Sequence, residues 1–149
     1  MNSVKLGVLF IIGVLLFFSC SPEKLGVEEM EYRKDSEAII ERFPNLGNIV
    51  ECYWKADNIG KTNFGPSSYW MKGFIVLDKD EVDKIDSQYE WTSISLEFVS
   101  GVDPNITGFS DFEWKHSQEF SDDTRRTSFV GEFYYDIING ILYFDLESN

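Results

Sequence analysis

Histidine and cysteine are nearly missing from this chain. Its 149 residues include one histidine, His116, and two cysteines, Cys20 and Cys52. Metal sites built from imidazole or thiolate need several such ligands at set spacings, and none can be composed here. A thiol nucleophile needs a base beside it. His116, alone in FEWKHSQEF, reads as a structural or surface residue. Positive charge is also scarce: 13 Lys and Arg stand against 26 Asp and Glu, a formal net charge of −13. Phosphate backbones repel such a chain, which argues against a nucleic-acid partner and favours basic or cationic ones. No glycine-rich phosphate loop and no Gly-x-Ser-x-Gly elbow occurs. Asp78, Asp80 and Asp83 begin like a calcium loop, but Val82 and Asp83 stand where that loop requires a ligand and a glycine. With so many acids, chance carboxylate pairs are unavoidable and carry no specificity. The chain implies no cofactor and no metal, and it points away from an enzyme.

Long apolar runs are missing too. The longest, residues 6–18, has thirteen apolar or glycine residues, short of the roughly 20 that cross a bilayer as a helix. One positive charge, Lys5, precedes it, and Ser19-Cys20-Ser21 and then Pro22-Glu23-Lys24 follow. A basic start, a short apolar centre and a small residue at the boundary are the marks of a secretory signal. Leu16-Phe17-Phe18-Ser19-Cys20 resembles the lipobox of bacterial lipoproteins, although Phe17 and Phe18 replace the usual aliphatic and small residues. The resemblance is confined to this leader. It implies cleavage before Cys20, acylation of Cys20 by chains such as palmitate, and residence on a bacterial cell membrane or outer membrane. The domain would then face the periplasm or the exterior. One acyl chain binds only reversibly, so two or more are needed for a stable anchor.

The chain divides into a signal peptide (1–19), a tether (20–27) and a single domain (28–149). Loss of the leader, with Lys5, takes the formal charge from −13 to −14. Once Cys20 is lipidated, Cys52 has no disulfide partner. It sits in NIVECYWKA, on the same alternating face as Val50, Trp54 and Ala56, and reads as a buried thiol.

The patterning predicts an α+β fold. Residues 28–43 (EEMEYRKDSEAIIERF) read as an N-terminal helix with its apolar stripe best formed in the second half, stopped by Pro44 and Gly47. Strands are expected at 49–56, 69–77 and 91–99. Residues 58–68 and 101–110 read as loops, and 111–118 fits either a strand or a helix. Asp78 with Glu81 three residues on signals a capped short helix, and SDDTRRT (121–127) reads as a solvated turn. Asn139-Gly140 between apolar runs is a strong hairpin signal. A two-residue turn there puts Tyr135 opposite Phe144 and Phe133 opposite Leu146. Phe133, Tyr135, Ile137, Leu142, Phe144 and Leu146 then share a core face beneath the helix, with Tyr134 and Tyr143 on a wetter one. The expectation is a helix on a mainly antiparallel sheet of about five strands that ends in this hairpin.

Aromatics make up 16% of the chain. Most fall at strand positions and read as core. Phe64, Tyr69 and Trp70 flank the Gly65-Pro66-Ser67-Ser68 loop and are the candidate partner surface. The functional expectation is a membrane-anchored envelope lipoprotein, a non-enzymatic module binding an unknown protein or envelope component. The alternative is an immunity or inhibitor protein whose acidity complements a basic toxin or hydrolase.

Overall fold

A computed structural model of the protein describes residues 31–59, 68–95, 108–109 and 111–148. Cys20, Phe64 and the proposed leader and tether lie outside these residues. The described part is α+β, with three α-helices and one six-stranded antiparallel sheet. The strands are β1 (Ile49–Asn58), β2 (Tyr69–Leu77), β3 (Thr92–Ser93), β4 (Trp114–His116), β5 (Phe129–Asp136) and β6 (Ile141–Ser148), in the order β1-β2-β6-β5-β4-β3. The count is six where about five were expected, because the ambiguous segment 111–118 supplies β4. Of the strand expected at 91–99, residues 91–95 are described, and only the two of β3 are paired as strand.

β2, between β1 and β6, is apolar on both sides because both faces of the sheet are covered: Met71, Ile75 and Leu77 fall in one core cluster and Phe74 in the other. In β1, Cys52 and Trp54 point into the core as the alternation predicts. Val50 does not. The register slips between Ile49 and Glu51, and this irregularity turns Val50 outward to 60% exposure.

The helices lie over one face. α1 (Ser36–Arg42) is shorter than the helix expected over 28–43. Arg33 exchanges two backbone hydrogen bonds with Trp54, at 2.8 and 3.0 Å, so this segment runs extended along the edge of β1. The helix begins only after Asp35, where the apolar stripe also begins. Phe43 at its C-terminal end meets Phe133, Phe129 and Phe144 with ring centroids 5.4, 5.5 and 6.2 Å apart. α2 (Lys79–Gln88) starts as predicted, with Asp78 accepting from the Glu81 amide at 2.9 Å. The Glu81 carboxylate accepts instead from the Asn48 amide, tying the helix to β1's entry.

α3 (Gln118–Thr124) takes the first four residues of SDDTRRT, where a solvated turn was expected over 121–127, and the chain turns only after Thr124. Ser117 caps it by accepting from the Phe120 amide, and Phe120 packs among Tyr89, Trp91 and Phe133. Buried Ser121 accepts from the Phe133 amide.

The C-terminal hairpin forms with a different turn. Asp136 pairs with Ile141, leaving four residues in the loop rather than two. The Asp136 carboxylate accepts from the amides of Ile138 and Asn139 and from the Asn139 side chain, and this wider turn wins over the Asn-Gly one. Tyr135 therefore faces Leu142, and Phe133 faces Phe144. The register differs from the expected one by two residues. An even shift leaves every side chain on its own face. Phe133, Tyr135, Leu142, Phe144 and Leu146 are buried together as predicted. Ile137 lies in the loop and packs against this core. The other face is not the wetter one expected. Tyr143 is 4% exposed and Tyr134 8%, in a second apolar layer with Phe74, Trp114 and Ile141.

Candidate functional site

A pocket of about 250 Å³ opens where the outer end of β1 meets α1. Its floor follows from strand alternation: Trp54, Ala56 and Asn58 lie on the helix-side face of β1, and Tyr69 is paired beside Asn58 on β2. Ala56, the one small side chain among these, leaves the space. The indole of Trp54 donates to the Asp35 carbonyl at 3.3 Å, which fixes the ring. Tyr69 sets its ring edge-on to Phe129 with centroids 5.9 Å apart, and its amide donates to the Ser148 hydroxyl.

Two arginines complete the walls. Arg33 reaches the pocket because its backbone is pinned to Trp54, and its guanidinium lies 4.5 Å from the centroid of that ring. Arg42 reaches it from the last turn of α1 and donates one bond to the Ala38 carbonyl at 2.8 Å. The nearest acid to Arg33 is Asp35, at 3.9 Å and between exposed side chains, a contact worth little. Arg42 forms no ion pair among the described residues. Asp57 stands on the rim and accepts from the Asn58 amide. The site therefore offers guanidinium donors beside the half-buried Tyr69, with Trp54 buried beneath Arg33.

The sequence-derived surface of Phe64, Tyr69 and Trp70 is not brought together. Tyr69 and Trp70 are successive strand residues and point to opposite faces. Tyr69 lines the pocket, whereas Trp70 lies on the other face beneath the Lys72 ammonium, 5.2 Å from its ring centroid. Phe64 is not among the described residues. Arg33 and Arg42 were legible only as polar positions of a longer helix. A break at Asp35 with extended pairing upstream leaves no strong local signal.

The remaining candidates have partners. His116 shares a hydrogen bond with Glu132 at 3.1 Å, and Arg125 approaches the other oxygen of that carboxylate at 3.7 Å. His116 and Glu132 border a second hollow with Ile94, Ser95 and Tyr134. Arg125 is further tied to Asp122 and the Gly131 carbonyl, and Arg126 to the Glu41 carbonyl. Cys52 is buried, and its thiol is pushed up to about 11, first by desolvation and then by the charge of Asp35. That is the setting of an inert structural thiol. Among the described residues no group of three His, Cys, Asp or Glu is placed to hold a metal ion. Also among them, no helix is long and apolar enough to cross a membrane. No family model, curated protein or solved structure matches the chain.

Proposed function

We propose that the protein is a bacterial envelope lipoprotein, held at a membrane by acyl chains on Cys20, whose domain works as a non-enzymatic binding module. The observation that carries the reading is the boundary Leu16-Phe17-Phe18-Ser19-Cys20 at the end of an apolar run too short to span. Among the described residues the sheet carries an apolar cluster on each face, which is consistent with a folded domain carried on an anchor. The arginine pocket at the edge of β1 supports a binding role. It gathers two guanidinium groups, Asn58 and the Tyr69 ring around one hollow, as ligand sites gather a few polar groups.

The test is a Cys20→Ala exchange in a bacterial host fed labelled palmitate. The unaltered chain should take up label and fractionate with membranes. The variant should take up none and accumulate as uncleaved precursor. Equal labelling and processing of both would end the reading.

A further inference from the structure

We propose that the pocket of Arg33, Arg42, Trp54 and Tyr69 binds a small ligand through a single carboxylate carried on an apolar body. The inference deepens the binding-module reading and rests on it. The first argument is the state of the arginines. The chain has twice as many acids as bases, so an arginine has abundant carboxylates to pair with. Of its four arginines, Arg125 is paired with Asp122 and Glu132, and Arg126, which like Arg42 donates to a carbonyl and has no carboxylate partner among the described residues, lies outside the pocket. The other two line one pocket: Arg42 has no carboxylate partner among the described residues, and Arg33 has only the long contact to Asp35. Both guanidinium groups line the same hollow, so an anion that enters it meets two cations at once.

The second argument is preorganisation. Stacking on Trp54 takes up one face of the Arg33 guanidinium and leaves its edge donors available. Arg42 spends one donor on Ala38 and keeps the rest. Guanidinium edges match the two oxygens of a carboxylate, and Ala56 and the half-buried Tyr69 line the hollow beside them for the ligand's apolar part. The volume, about 250 Å³, lies just below the roughly 300 Å³ at which sites for drug-sized ligands begin. It suits one ring or a short chain, not a folded epitope. Asp57 on the rim and the overall negative charge select against dianions, so a carboxylate is favoured over a phosphate.

The test is an NMR titration of the isotopically labelled full chain, as its host produces it, in detergent micelles at constant ionic strength. The probes are sodium benzoate, inorganic phosphate and neutral benzyl alcohol. Benzoate should shift the Trp54 indole N–H and the Arg33 and Arg42 side-chain resonances saturably, with benzyl alcohol at least tenfold weaker. Arg33→Gln and Arg42→Gln, each checked to be folded by its amide spectrum, should weaken benzoate at least tenfold. Arg42→Lys, which keeps the charge and loses the fork, should fall between. No saturable benzoate shift, equal binding by folded glutamine variants, or tighter binding of phosphate would each overturn the proposal. The titration does not depend on acylation of Cys20. Failed benzoate binding with palmitate labelling intact therefore indicts the ligand alone.

Discussion

Phe144 and Tyr143 are neighbours that face opposite sides of the sheet, and both are buried. Phe144 touches Phe43 and Phe133 beneath α1, and Tyr143 packs with Trp114 and Tyr134 on the other side. Truncating a buried aromatic to alanine costs about 3–5 kcal/mol, transfer and cavity together. We expect Phe144→Ala and Tyr143→Ala to destabilise by similar amounts in urea titrations. A Tyr143→Ala loss below about 1 kcal/mol would mean the second face is wet after all. The buried titratable groups set a pH dependence. Desolvation, assisted by Asp35, raises the Cys52 thiol from 9.0 to about 11. Desolvation, assisted by Glu132 and Asp145, raises Tyr134 from 10.0 to about 12. Tyr135 and Tyr143 are raised as well, chiefly by burial. These groups are neutral in the fold and would ionise sooner in the unfolded chain. Their stabilisation is complete below pH 9 and is lost as pH rises through the folded values. Circular dichroism from pH 7 to 12 should show stability falling above about 9, with Cys52 unreactive to thiol reagents until the protein unfolds. Rapid labelling at pH 8 would contradict the burial.

Among the elements, the β1–β2 pair carries the pocket and depends on Gly73. That residue faces Trp54, and a Cβ there would sit 2.2 Å from the Tyr53 carbonyl oxygen and 2.6 Å from the Trp54 Cα. The strand has no room to move without lifting Trp54. Gly73→Ala should cost on the order of 1–3 kcal/mol, as overpacking does, and should shift the Trp54 indole resonance. An unperturbed indole would mean β1 is not pressed against β2 at this point. The elements also show what the sequence reveals and what it hides. The alternation of Cys52 and Trp54 in β1, the two-sided apolar run of β2, the Asp78 cap and the core face of the hairpin are local patterns, and each was readable, whereas the burial of the hairpin's second face was not. The hairpin register was not, because Asp136 makes its turn through hydrogen bonds that compete with the Asn-Gly preference. The start of α1 was hidden by the pairing of Arg33 with Trp54, a contact between residues 21 apart in sequence. That same contact turns Arg33 into the pocket, so the miss in the fold and the miss in the site share one cause. α3 was obscured by its polar outer residues, since Phe120 is its only large buried side chain.

At the scale of the molecule, the domain is strongly acidic, yet it gathers two of its four arginines at one edge of the sheet. Lys34 and Lys55 add to that edge, each within 5.0 Å of an aromatic ring. A body of net charge −13 repels anionic surfaces as a whole, while the two guanidinium groups of one pocket admit a small anion locally. An acylated N-terminus would keep such a body at a membrane whose headgroups do not attract it, which is the work the anchor is proposed to do. The claim that organises the account is therefore the modification of Cys20. Its most direct test is intact-mass and N-terminal peptide spectrometry of the protein extracted from a bacterial envelope. The account predicts a chain that begins at Cys20 and carries at least two fatty acyl groups. A chain that keeps residues 1–19, or one that begins elsewhere with an unmodified Cys20 thiol, would contradict it.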